Sequence, residues 1–79
     1  MNEPEARSVI LAALREIAPE ADLDALEPDV EFREQLDIDS MDFLNLIVGI
    51  HERTGIDVPE EDYRLLETLE GAAKYIAAH

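Results

Sequence analysis

The residues of this chain whose types and spacing invite chemistry lie in one stretch, Leu36-Asp37-Ile38-Asp39-Ser40-Met41-Asp42. A hydroxyl stands among carboxylates, just ahead of a segment with helical periodicity. Nucleophilic catalysis by Ser40 would need a base held within hydrogen-bond reach. The only interior histidine, His51, is eleven residues further on, about 16 Å away at helical rise, so a Ser–His–Asp arrangement is implausible. Calcium binding would need an EF-hand loop. Counted from Asp37, the sixth position is Asp42 instead of glycine and the twelfth is Val48 instead of glutamate, which removes both the turn and the bidentate ligand. Modification of the hydroxyl is the third chemistry. Asp39 is a good N-cap and Asp42 at N3 completes a capping box, which makes Ser40 the first residue of a helix. Free amides and the positive end of the helix dipole favour an anion attached there. The same residues also suit an ordinary Asp/Ser cap with no chemistry, and types and spacing alone leave both open.

The elements that must position this serine follow from periodicity. The spacing predicts a helix over 40–54, with Phe43, Leu46, Ile47 and Ile50 at i, i+3, i+4 and i+7. Gly55 supplies its left-handed end and Pro59 lies just beyond. Gly49 inside it costs about 1 kcal/mol against alanine; it implies close approach of another backbone, or room beneath the helix. A first amphipathic helix over 5–18 carries Ile10, Ala13, Leu14 and Ile17, with Pro4 in its first turn and Pro19 ending it. Between these helices runs a long connection, 19–39. From Glu20 to Asp42 there are ten acids and one base, Arg33. Leu23, Leu26, Val30, Phe32, Leu36 and Ile38 punctuate it as anchors across a helical core, and a helical turn at 23–27 is expected. A short helix over 59–65 opens at Pro59, with Glu60, Glu61 and Asp62 in its first turn. Thr68 caps a last helix from Leu69 to about Ala78, with Leu69, Ala72, Ala73 and Ile76 on one stripe. No strand pair is indicated. The fold class is all-α: three main helices, one short one and a long first loop.

The composition narrows the functions further. Seventy-nine residues form one small domain, too small for an enclosed active site beside its core. Twenty acids against six bases give a net charge of −14. Six scattered bases cannot replace the counterions of nucleic acid, nor hold an anionic membrane surface. Basic protein surfaces are the natural partners. With no cysteine and only two histidines, His51 and His79, neither a disulfide, a cysteine nucleophile nor a transition-metal site is expected. The acidic start, Met1-Asn2-Glu3-Pro4-Glu5, is unlike a secretory signal, and no apolar run, 46–50 among them, approaches the length of a membrane span. A cytoplasmic protein is expected.

The stretch Asp39-Ser40-Met41-Asp42 resembles the Asp-Ser-Leu signature, followed by an acid, of the acyl carrier protein family. The resemblance extends over essentially the whole chain. Gly55-Ile56-Asp57-Val58-Pro59-Glu60-Glu61-Asp62 is similar to the family's turn into its third helix, and Thr68-Leu69 and Tyr75-Ile76 to its last. The resemblance implies the family's helical bundle and a carrier that is not itself an enzyme. It implies that a phosphopantetheinyl transferase moves 4′-phosphopantetheine from coenzyme A onto Ser40, and that acyl groups ride on the arm as thioesters. It implies docking of the transferase and of acyl-activating and biosynthetic enzymes, through their basic patches, at Asp39, Met41, Asp42 and Glu52. It implies an acyl-chain pocket lined by Leu46, Ile50, Val58, Leu66 and Ala72, each equally readable as plain core. A monomer is expected. The chain departs from fatty-acid carriers at Asn45 and His51, where those commonly have glutamate, at Ile38 for glycine and at Met41 for leucine. These departures suit a carrier with dedicated partners in fatty-acid, polyketide or related biosynthesis. Two alternatives stand beside it: an aminoacyl or D-alanyl carrier, and, in another class, an acidic helical interaction module without serine chemistry.

Overall fold

The computed structural model describes all residues, 1–79. Every regular element is helical: α1 (Glu3–Ile17), the 3-10 turn η1 (Leu23–Ala25), α2 (Phe32–Gln35), α3 (Ser40–Thr54), the 3-10 helix η2 (Glu60–Leu66) and α4 (Leu69–Ala77). α1 packs against both α4 and α3, and η2 packs against α4. The core lies between them. Ile10 and Leu14 of α1, Leu46 and Ile50 of α3, Leu66 of η2 and Ile76 of α4 are completely buried in it. No helix is long and apolar enough to cross a membrane.

Local chemistry sets the ends of these elements. α1 begins at Glu3, earlier than the apolar stripe indicates, because Asn2 caps it. The Glu5 amide donates to the Asn2 side chain at 2.8 Å, and the Asn2 amide donates to the Glu5 carboxylate at 3.1 Å. It ends at Ile17, with Ala18 as the C-cap. Gly55 closes α3 with φ of 73°, in the left-handed region open to glycine. Thr68 caps α4, its hydroxyl accepting from the Gly71 amide at 3.0 Å.

The long connection departs most from expectation. The turn expected at 23–27 is the shorter η1, and the four-residue helix α2 was not anticipated in the loop 19–39 at all. Four residues show no periodicity, so α2 has no signature of its own; tertiary contacts hold it. Phe32 is completely buried, and its amide donates to the Glu67 carbonyl at 2.7 Å. The Glu70 amide donates to the Pro28 carbonyl at 2.9 Å, which ties the loop to the start of α4. η2 starts at Glu60, with Pro59 outside it as the N-cap, and is 3-10 in character. As for Gly49, a Cβ there would lie 3.3 Å from the Ala13 Cβ, so its place is a close approach of α3 to α1.

Candidate functional site

The site is built by the start of α3. Asp39 precedes the helix in extended backbone. Its Oδ1 accepts from the Asp42 amide at 2.9 Å, while Asp42 Oδ2 accepts from the Asp39 amide at 3.1 Å. This reciprocal pair uses two helix-end amides and fixes the angle at which the loop enters the helix. Ser40 is therefore held on a rigid element, exposed to solvent. Its hydroxyl has no hydrogen-bond partner in the chain, and the Ser40 and Met41 amides are also unengaged. An anionic ester on this oxygen would meet no steric obstacle and would face free N–H groups at the positive end of a fifteen-residue helix.

Nothing in the chain activates the hydroxyl. His51 lies near the opposite end of α3, half exposed, with its Nδ1 3.0 Å from the Ile56 carbonyl and 3.3 Å from Asp57 Oδ1. It ties the end of α3 to the turn that follows. The geometry thus supplies a presented oxygen with no base hydrogen-bonded to it, which makes Ser40 suited to being acted upon by another protein.

Of the expected docking residues, Asp39, Met41 and Asp42 adjoin Ser40 in the chain, whereas Glu52 lies near the opposite end of α3. Asp39, Met41 and Glu52 are exposed and Asp42 is partly buried; Asp39 and Asp42 each engage one carboxylate oxygen in the cap and keep the other without a partner in the chain. Two residues that the sequence reasoning missed join them. Leu44 and Val48 are 42% and 51% exposed, and Met41 is 64% exposed. At i, i+3 and i+7 these three form an apolar stripe on the side of α3 facing away from Phe43, Leu46, Ile47 and Ile50. The signal was present: a helix with apolar residues on both faces has one face left to cover. A shallow groove of about 390 Å³ between α3 and α1 flanks the stripe, with Asp42, Asn45, Val48 and Glu52 on one wall. The charge of α3 itself is slight, because Arg53 sits beside Glu52 and reaches Glu16 at 3.1 Å.

The expected pocket residues sit elsewhere. Leu46, Ile50, Leu66 and Ala72 are completely buried, and Val58 is partly buried beside them. None of them lines the three principal cavities. The largest, about 670 Å³, is bounded by the end of α1, by η1 and by the end of α2, and reaches Asp37 at its rim.

Two ionisable groups are displaced from their ordinary behaviour, neither of them on α3. Hydrogen bonding to the Glu31 carboxyl, then burial and the Glu31 charge, raise the pKa of Glu67 against the opposing pull of Arg33. Burial, then the hydrogen bond to Asp62, raise that of Tyr75, whose hydroxyl donates to Asp62 Oδ2 at 2.8 Å. These groups hold η2, α2 and α4 together and lie outside the Ser40 surface.

Residues 8–76 match the sequence profile of the phosphopantetheine attachment site. The acyl carrier protein of Rubrobacter xylanophilus is 33% identical over 76 residues, covering 92% of this chain and 94% of its own. That of an Arthrobacter species is 38% identical over 71 residues, covering 86% and 88%. The solution structure of a protein from Anaplasma phagocytophilum described as an acyl carrier protein superposes with a TM-score of 0.85 at 25% identity, covering 99% of this chain and 91% of that one. With an exposed serine opening a central helix, and with this match along nearly its whole length, the chain belongs to the acyl carrier protein family: it is a carrier of acyl groups on covalent 4′-phosphopantetheine, and not an enzyme.

Proposed function

We propose that Ser40 is the residue that receives the phosphopantetheine arm. The observation that carries this reading is the capped start of α3, which presents one unengaged, exposed hydroxyl beside free helix amides. In the transfer, the Ser40 oxygen forms a phosphodiester with the pantetheine-bearing phosphorus of coenzyme A. The bond to the adenosine-bearing phosphate breaks, and the hydroxyl proton goes to a base of the transferase, since no base of this chain is bonded to the hydroxyl.

Partner enzymes dock around the same serine. The apolar stripe Met41, Leu44 and Val48 supplies contact area, while Asp39, Asp42 and Glu52 meet basic side chains of the partner. Asn45 and His51 stand where fatty-acid carriers commonly have glutamate, so the partners on this surface are enzymes of a dedicated biosynthetic pathway, polyketide or specialised fatty-acid in type. The carrier works as a cytoplasmic monomer. Acyl chains enter between α3, η2 and α4 by parting Leu46, Ile50, Val58, Leu66 and Ala72, which makes that pocket one opened by its ligand.

Intact-protein mass tests the central point. Incubation with coenzyme A, Mg²⁺ and a broad-specificity phosphopantetheinyl transferase adds one phosphopantetheine to the wild type and none to folded Ser40→Ala. Addition to Ser40→Ala, or no addition to the folded wild type with several transferases, would overturn the assignment.

A further inference from the structure

We propose that the unacylated phosphopantetheine arm rests in the cleft between the end of α1 and the 19–37 connection, on the loop side of the bundle. The proposal rests on Ser40 being the attachment residue, and three observations then carry it. The first is reach. Asp37, at the rim of the cleft, is three residues from Ser40, at most about 11 Å along the chain, and the phosphopantetheine arm, counted from the serine oxygen to the sulfur, has as many linked atoms as a five-residue peptide, about 17 Å when extended. The tether therefore holds the arm at an effective concentration near the millimolar range beside this cleft, so a weak site suffices.

The second is space. The cleft measures about 670 Å³, within the range of small-molecule sites. The alternative resting place, among Leu46, Ile50, Leu66 and Ala72, is closed core. Parting those side chains forfeits close-packed contacts. An acyl chain can compensate by burying its own methylenes, but a bare thiol arm cannot. The loaded and unloaded arms thus have different preferred sites.

The third is chemistry. Ile17, Leu26 and Leu36 line the cleft and keep part of their surface exposed, which suits the gem-dimethyl group and the methylenes of the arm. The Asp37 amide and the Leu26 carbonyl have no partner in the chain, so the two amides of the arm find a donor and an acceptor. The cleft is also held open. The Gln35 side chain accepts from the Glu27 amide and donates to the Glu27 and Val30 carbonyls, at 2.8, 2.8 and 2.9 Å, which braces the loop wall before any ligand arrives. Carboxylates around the rim, among them Asp22 and Glu27, disfavour ionisation of a thiol placed there. The resting arm is thereby kept as the less reactive thiol.

Isotope-labelled protein tests this. The spectrum of the wild type is compared before and after transferase-catalysed loading from coenzyme A, with loading read separately by mass. The same pair is recorded for Ala25→Trp, which fills the cleft from an exposed position. The expected result is a shift of the Ile17, Ala25, Leu26 and Leu36 signals on loading, loss of the Ile17, Leu26 and Leu36 shifts in Ala25→Trp, and faster thiol alkylation in loaded Ala25→Trp than in loaded wild type. Full loading with shifts confined to the neighbours of Ser40, or directed to Leu46, Ile50 and Val58, would overturn the cleft and leave the Ser40 assignment standing. No added mass would overturn both.

Discussion

Glu67 shows how a single side chain makes this acidic fold respond to pH. Its amide-linked carbonyl accepts from Phe32, and its carboxyl meets Glu31 on one side and Arg33 at 4.0 Å on the other. Because its pKa is raised above 4.5, the folded state binds the proton more tightly than the unfolded chain. By linkage this contribution is fully present below the unfolded value and is lost as pH rises through the folded one. Mild acidification from neutral pH is therefore expected to relieve the Glu31–Glu67 contact, and Glu67→Gln to remove that part of the pH dependence. Denaturant titrations of both proteins at several pH values measure it; the same slope in the two would refute the assignment. Tyr75 makes a second point at this scale. Its hydrogen bond to Asp62 ties η2 to α4, and an intramolecular bond of this kind contributes about 1 kcal/mol. Tyr75→Phe should lower stability by about that much in chemical denaturation, without changing pantetheinylation of Ser40. A loss of loading would mean that the bond acts on the site as well.

Close approach between elements is tested at the glycines. At Gly71 an added Cβ would lie 2.5 Å from the Leu65 carbonyl oxygen and 2.9 Å from Thr68 Oγ1. The first is backbone and the second belongs to the α4 cap, so neither yields without moving η2 or losing the cap. Gly71→Ala should cost about 1–3 kcal/mol, the range for overpacking. Gly49→Ala meets only the Ala13 Cβ at 3.3 Å and the end of the Arg53 side chain. There the gain in helix propensity, about 1 kcal/mol, opposes a displacement of a few tenths of an ångström. Thermal melts of the two variants should therefore rank Gly71→Ala well below Gly49→Ala, and the reverse order would show that α1 and α3 are packed more tightly than η2 and α4. The same logic explains why α2 was absent from the sequence-based expectation. Its four residues are helical because Phe32 is buried and the loop is bonded to Glu67 and Glu70, partners more than thirty residues away.

The whole molecule carries its −14 charge on 4816 Å² of surface. Dividing the area by the net charge leaves one charge per about 340 Å², a mean spacing of about 18 Å, between the Debye lengths of about 30 Å at 0.01 M and about 10 Å at 0.1 M salt. Self-repulsion therefore acts at low ionic strength and is largely screened at moderate ionic strength. The melting temperature should rise between these two salt concentrations and gain little beyond them. A flat or falling melting temperature over that interval would show that local ion pairs outweigh the net charge. The charge is also uneven. Ten of the acids lie between Glu20 and Asp42, and α3 itself is almost neutral beyond its first turn. On the docking surface proposed above, long-range attraction of a basic partner would be centred on the loop, and the apolar stripe of α3 would supply the contact.

How much was legible follows from the range of the forces involved. The start of α3 was written in the sequence because a capping box is a local arrangement of four adjacent residues, Asp39 to Asp42, and it fixes Ser40 as the first residue of the helix. The all-helical class and the buried faces of α1, α3 and α4 were equally local, since a period of 3.6 residues needs only its own segment to show. The sequence also determined that there is no cysteine and that the nearest histidine, His51, lies eleven residues from the serine. Tertiary structure alone decided the rest. Whether Gly49 marks contact or space depended on where Ala13 came to lie. The helical state of Phe32–Gln35, the 3-10 character of Glu60–Leu66, the closed packing of Leu46, Ile50, Leu66 and Ala72 and the open cleft beside Asp37 each depend on contacts between segments far apart in the chain. Such contacts leave no periodic trace in either partner, and they form only when the whole chain has found its fold.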